Sequence, residues 1–445
     1  IRVAAAGHEK RAYTLALRLP GQWEDAESGL YYNDFRYYDP QAGRYLSPDP
    51  LGRLAERLGS PNAYAYVNNN PLSYIDPWGL ILFAFDGTGN DESNQDTLSN
   101  VVGFRNRYQS GYRHYVTGVG TEHIDSEYGN IKHWAGNTID SGANYTGPAR
   151  IARMVQYFND EATALIDDEE AMDVDIIGFS RGAAQARDFS NRLVNSLSNG
   201  YYRYTITGQD GKEQIKCQKV NFRFMGLYDT VLSTNLSSYS YNLGIPEEFS
   251  YVAQAVALNE YRGKTLRSLP GSAGAFPLES IMEAMSSADS AAGPIRIERG
   301  FIGSHSDIGG GFEQGDLSTI ALSWMVDQAR KAGLQMDDAP IVIIANPVLH
   351  DKSDNQYSST GAPLPNGEDR LVRYRNGSTT TQRIMTAPSG MNWSDTEQFI
   401  SYLPRTIDAD GNVIPRADFV TGTVDAQSYL AWLNANGYNI NITAQ

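Results

Sequence analysis

Hydrophobic positions after residue 80 fall into short continuous runs separated by longer amphipathic stretches. The runs at 81–85, 174–177, 220–228, 297–303 and 341–345 are strand-sized. Residues 150–165, 183–197 and 317–332 have helical spacing; in the first, Ile151, Met154, Val155, Phe158 and Leu165 fall on or near one face. Strands alternating with helices predict an α/β fold: a mainly parallel sheet with helices on both faces. Residues 201–220 read as a hairpin turning at Asp210-Gly211. A region at about 236–296 reads as a lid-like insertion between late strands. Within it, a short helix over 277–286 would gather Phe276, Leu278, Ile281, Met282 and Met285 mainly on one face. Residues 346–445 suggest no assignment.

Before residue 80 the pattern is different. Tyrosine-rich runs at 30–33 and 35–38 are broken by Asp39-Pro40, Asp49-Pro50 and Asp76-Pro77, which predicts a small hairpin-rich β module. Charge divides the chain at the same place. Residues 1–80 carry a net charge of −1, and residues 81–445 carry −15. The expected organisation is therefore a β-rich part over 1–80 and an acidic α/β part over 81–445.

Composition excludes several classes. A hydrophobic content of 41% in 445 residues excludes wholesale disorder. No apolar run approaches the ~18 residues of a membrane-spanning helix. The single cysteine, Cys217, excludes an internal disulfide framework and a multi-cysteine zinc site. A net charge of −16 argues against a sequence-independent grip on nucleic acid. The chain opens at Ile1 with no signal peptide, which reads as a fragment or processed piece of something longer.

Gly178-Phe179-Ser180-Arg181-Gly182 follows one predicted strand and opens one predicted helix. That context suggests a nucleophile elbow, with Ser180 pushed out at the carboxyl end of the sheet. The usual chain order then places an acid and a histidine downstream. Only His305 and His350 follow Ser180. His305 lies in a glycine-rich loop directly after a strand and is the expected base. Asp229, at a strand end, is the expected acid. Asp188 lies two helical turns past the elbow, and Asp307 is suited to orienting the His305 loop. The oxyanion donors are expected from the amide of Arg181 and from the loop at Gly87 and Thr88. The acids of that loop, Asp86, Asp91, Glu92 and Asp96, match no EF-hand spacing, and no Walker-type phosphate loop is present. No metal or cofactor is expected.

Two resemblances extend this reading. Gly29-Leu30-Tyr31-Tyr32-Asn33, Gly43-Arg44-Tyr45-Leu46-Ser47-Pro48-Asp49-Pro50 and Asn62-Ala63-Tyr64-Ala65-Tyr66-Val67-Asn68 lead to Asp76-Pro77-Trp78-Gly79-Leu80. Residues 26–80 thereby resemble the core segment that ends Rhs and YD-repeat proteins. The resemblance implies a β-cage remnant ahead of a variable toxin, with self-cleavage after Leu80 assisted by Asp76 and Asp49. Further on, Phe85-Asp86-Gly87-Thr88-Gly89-Asn90, the Ser180 elbow, Gly226-Leu227-Tyr228-Asp229-Thr230-Val231 and Ser304-His305-Ser306-Asp307-Ile308-Gly309-Gly310-Gly311 occur in this order. They resemble the α/β-hydrolase phospholipases among type VI secretion lipase effectors of Gram-negative bacteria, over about 81–330. That resemblance implies phospholipase A chemistry on membrane glycerophospholipid in a competing cell. It also implies a cognate immunity protein, and a secretion spike or adaptor as the delivery partner. An esterase acting on a soluble or cell-wall ester, and an inactive structural Rhs fragment, are the alternatives.

Overall fold

The computed structural model describes residues 2–4, 12–14, 23–33, 36–46, 80–94, 97–109, 111–121, 146–164, 171–207, 213–232, 240–262, 276–285, 287, 293–313, 315–337, 343–344, 347–352, 369–385, 390–404, 406, 408–410, 414 and 418–444. The chain divides into two compact units, 1–78 and 79–445. In the first, the strands Trp23–Glu24, Tyr31–Asn33, Arg36–Asp39 and Arg44–Tyr45 form an antiparallel meander. Cross-strand tyrosines pair along it, Tyr31 with Tyr38 and Tyr32 with Tyr37. Such aromatic pairs stabilise short strands that bury little else. Asp49 and Asp76 lie outside the described residues.

The second unit is built on one sheet. Its order is Ile295–Phe301, Tyr251–Ala257, Glu213–Tyr228, Met172–Phe179, Leu80–Phe85 and Tyr112–Val116, with every neighbouring pair parallel. Side chains alternate between two buried faces, as strand geometry requires. Ile81, Phe83 and Phe85 face helices Gly147–Ala164 and Arg181–Ser196, which contribute Ile151, Met154, Phe158, Ala183, Ala186 and Phe189. Leu82 and Ala84 face the opposite way, in a cluster with Phe104 of helix Asn100–Arg107 and with Ile320, Trp324 and Met325 of helix Asp316–Lys331. Leu80, the residue before the expected cleavage point, is the first residue of the Leu80–Phe85 strand. Chain direction across the sheet reverses at Leu80–Phe85, which lies between Tyr112–Val116 and Met172–Phe179. In open parallel sheets, sites form beyond the strand carboxyl ends at such a switch point.

Several expectations are corrected. The insertion expected over 236–296 contains Tyr251–Ala257, a fully buried strand of the main sheet. The hairpin exists, but its second strand has no break at 220: Glu213–Tyr228 pairs antiparallel with Tyr201–Thr207 and then continues as a parallel strand. Within 341–345, the described residues Ile343–Ile344 form a strand that pairs with Thr443–Ala444 outside the main sheet. The tail is anchored to the same core: the Tyr429 hydroxyl accepts the Ile302 amide, and the Tyr438 hydroxyl donates to the Gly300 carbonyl, both at 2.9 Å.

The helix expected over 277–286 does not form. Leu278–Glu279 is instead a short strand beside Leu371–Arg373, and bends follow it. Leu278 and Ile281 are buried in the two core clusters, which removes both from any lipid-contacting surface. Met282 packs partly buried against the core, and Met285 is exposed. Ile281→Ala should therefore cost about 2–5 kcal/mol of stability, read as a lower melting temperature. Activity on vesicle lipid and on a short soluble ester should fall together. Selective loss on vesicles, at an unchanged melting temperature, would restore a lid role for this residue.

Candidate active site

The main sheet delivers its chemistry at one edge. Ser180 follows the strand Met172–Phe179, Asp229 follows Glu213–Tyr228, and Glu260 and His305 lie just beyond Tyr251–Ala257 and Ile295–Phe301. Ser180 takes the strained backbone angles φ 60°, ψ −128°. The turn is tight because both flanking glycines lie against other backbone. A Cβ on Gly182 would sit 2.3 Å from the Asp86 carbonyl oxygen, and one on Gly178 would sit 2.7 Å from the Ala183 Cα. Strain of this kind costs about 1–3 kcal/mol and persists where surrounding structure holds it. Here the Ser180 amide donates to the Tyr228 carbonyl at 3.0 Å, and the first turn of helix Arg181–Ser196 starts at once.

Ser180, His305 and Asp229 form one hydrogen-bonded chain. Ser180 Oγ lies 2.7 Å from His305 Nε2, and His305 Nδ1 lies 2.5 Å from Asp229 Oδ2. An ionised carboxylate only accepts, so Nδ1 carries the proton and Nε2 is left to accept from the serine hydroxyl. All three residues are buried. Burial holds the His305 pKa below its ordinary value of 6.5, against the opposing pull of Asp229. Burial alone would push Asp229 up, but Arg370 and His305 outweigh it and hold the carboxyl well below the usual range. The ring of Phe179 lies against the imidazole at 4.7 Å, and Phe276 meets it edge-on at 5.2 Å.

The other expected residues are placed as follows. Asp188 is committed elsewhere: it pairs with Arg192 at 2.9 Å and accepts the Asn242 amide at 2.8 Å. Asp307 caps its own loop through the Ser304 amide and binds His350 Nδ1 at 2.6 Å. His350 therefore belongs to a second, separate pair. The Gly87 amide donates to the Asp86 carboxylate at 2.7 Å. Thr88 stays next to the elbow, because its hydroxyl accepts Arg181 Nε at 2.7 Å. Asp86 also accepts from Ser99 and Tyr115, and burial pushes its carboxyl up to about 6 despite these donors. Among the described residues no acidic, histidine or cysteine cluster is arranged to hold a metal ion.

Three residues had no sequence signal. Arg370, fully buried, makes two bonds to Asp229, Nη1 to Oδ1 at 2.8 Å and Nη2 to Oδ2 at 2.7 Å. Glu260 accepts the His305 amide at 3.2 Å and holds Arg262 at 2.7 Å. Burial pushes Glu260 up, but Arg262 prevails and brings it down to about 2. Arg262 in turn lies over the Phe276 ring, 3.6 Å from its centroid.

Residues 194–328 match the family model described as the catalytic domain of Tle1-like phospholipase effectors of type VI secretion systems. The matched stretch contains Asp229 and His305 and begins after Ser180. The N-terminal part is similar to Rhs and toxin proteins. One relative is Toxin protein Tse5 of Pseudomonas aeruginosa, 50% identical over 78 residues, covering 18% of this chain and 6% of that protein. Another is the probable deoxyribonuclease RhsA of Dickeya dadantii, 52% identical over 64 residues, covering 14% of this chain and 4% of that protein. The chain thus spans only a small fraction of the length of these curated relatives. Among solved structures, an uncharacterized protein from Pseudomonas aeruginosa aligns over 61% of this chain and 48% of its own, with a TM-score of 0.38 and 19% identity. The Tle1 effector bound to the VgrG spike aligns over 54% of this chain and 52% of its own, with a TM-score of 0.32 and 19% identity. The chain therefore joins an Rhs-like segment to a region similar to the Tle1-like phospholipase effectors of type VI secretion.

Proposed function

We propose that the 79–445 unit is a serine phospholipase of the A type with an α/β-hydrolase architecture, delivered as an antibacterial effector. The observation that carries this is the Ser180–His305–Asp229 chain at the carboxyl edge of a parallel sheet, two members of which fall in the stretch matched to the phospholipase-effector family. In the first step His305 Nε2 takes the Ser180 proton as Oγ attacks the acyl carbonyl. The tetrahedral oxyanion is met by the amide of Arg181, at the start of the helix, where the helix dipole favours negative charge, and by that of Thr88, in the loop after Leu80–Phe85. Collapse expels the lysophospholipid alkoxide, which takes the proton from His305. Water, deprotonated by His305, then attacks the acyl-enzyme; the fatty acid leaves as Ser180 Oγ departs and takes the proton back from His305.

The Rhs-like segment is assigned the role of carrier, cut from the toxin between Leu80 and Ile81. Relatives named as different toxins share that segment, which suits a part common to many warheads. A secretion spike such as VgrG is the proposed delivery partner. Membrane glycerophospholipid of the recipient cell is the proposed substrate, and an immunity protein protects the producer.

Mass spectrometry of glycerophospholipid vesicles incubated with the protein should show free fatty acid and lysolipid. Ser180→Ala and His305→Ala should each reduce their formation by on the order of 10⁴-fold or more, without loss of fold. Hydrolysis confined to soluble esters would move the reading to an esterase, and unchanged lipid with every substrate would remove it.

The pH dependence follows from His305. The base must be neutral to act, and burial holds its pKa below 6.5. Activity should therefore be level near neutrality, and kcat/KM should fall only as pH drops below 6.5. An acid limb centred above pH 7 would contradict a depressed His305.

A further inference from the structure

In the Ser180–His305–Asp229 chain, the carboxylate that orients the base is itself gripped by a buried guanidinium from the far end of the sequence. Arg370 stands at the start of the short strand Leu371–Arg373, and its planar fork meets both oxygens of Asp229. Bidentate geometry of this kind fixes the plane of a carboxylate as well as its charge. The fork is itself held: Nε donates to the Phe276 carbonyl, and Nη1 reaches the Gln382 amide oxygen at 3.4 Å. Gln382 returns along the next turn, with its backbone amide on the Arg370 carbonyl at 2.8 Å and its side chain on the Leu258 carbonyl. The Ala257 amide completes the Asp229 shell, donating to Oδ1 at 2.9 Å. Asp229 Oδ2 is thus shared between Arg370 and His305.

We infer that Arg370 is a positioning residue of the catalytic centre, setting both the orientation of Asp229 and the basicity of His305, so that the 369–385 segment is part of the active site. The inference rests on the proposed triad. Arg370 partly neutralises Asp229, so Asp229 stabilises an imidazolium less than a lone buried carboxylate would. Among the described residues, other charged groups near the centre include Arg181 next to Ser180, Glu260 and Arg262 beside His305, and, around those two, Asp351, the Asp307–His350 pair and Lys352. Glu260 and Arg262 pair with each other, which leaves Arg370 as the cation opposing Asp229 directly. Removing it should raise the His305 pKa.

The test is a pH series on the full chain. Arg370→Gln should lower kcat by about 100-fold, with KM changed far less, because the base loses its alignment. Its acid limb should move to higher pH by about one unit. Arg370→Lys keeps the charge and should recover part of both effects. Because a lone buried Asp229 charge could prevent folding, the pair is also tested as Asp229→Asn/Arg370→Gln, which leaves no unpaired charge. That double variant should match Asp229→Asn alone within about threefold, since the two residues act as a unit. The low-field proton resonance of His305 Nδ1, followed against pH, reports the same shift without substrate. An acid limb and a His305 titration unmoved in Arg370→Gln, or additive losses in the double variant, would overturn the inference. Wild-type turnover by Asp229→Asn would instead remove the triad reading, and the His305 titration would then decide the role of Arg370.

Discussion

A single buried carboxylate ties this site together. Asp229 has no solvent exposure, sits at a positive φ of 43°, and still holds its charge. A buried charge costs several kcal/mol unless it is fully paired. Here the pairing comes from a sheet-strand amide at Ala257, the imidazole of His305 and the fork of Arg370. Each donor arrives from a different part of the chain. The same contacts that make the charge tolerable therefore lock the strand ends, the His305 loop and the 369–385 segment into one arrangement. Breaking any of them leaves an uncompensated charge, which gives the site rigidity as well as chemistry.

The strained turn at Ser180 rests on that frame. Ser180 lies outside the ordinary backbone regions, and only glycines on either side let the strand turn into the helix. Neighbouring backbone approaches so closely that a methyl group at 178 or 182 would overlap it. Burial of the helix against Phe83, Phe85 and Val174 supplies the holding force. The Arg181–Thr88 contact then joins the elbow to the first loop of the sheet. Strain, burial and hydrogen bonding converge where the Ser180 hydroxyl meets His305 Nε2.

The sequence made the chemistry more legible than its support. Ser180 and His305 stood out because glycine-rich turns directly after apolar runs mark strand carboxyl ends. Asp229 was readable for a related reason, since it ends a long run rich in aromatic and other apolar residues. The strand Tyr251–Ala257 was not, because a fully buried run carries no alternation and its Gln254 reads as polar. Only the fold shows that Gln254 is satisfied by Glu298 and the Glu279 carbonyl. The helix expected around Ile281 failed because its stripe is short, and strand pairing of Leu278 with Val372 overrides local periodicity. Arg370 had no local signal at all. An arginine beside an aspartate reads as solvated surface, and its partner lies 141 residues away.

The central claim is that Ser180 is a nucleophile made reactive by His305 within this hydrogen-bonded chain. Labelling the folded protein with a fluorophosphonate and locating the adduct by peptide mass spectrometry tests it directly. The account predicts one stoichiometric adduct, on Ser180, lost in Ser180→Ala and strongly slowed in His305→Ala. An adduct on another serine, or labelling of Ser180 at the same rate without His305, would contradict it.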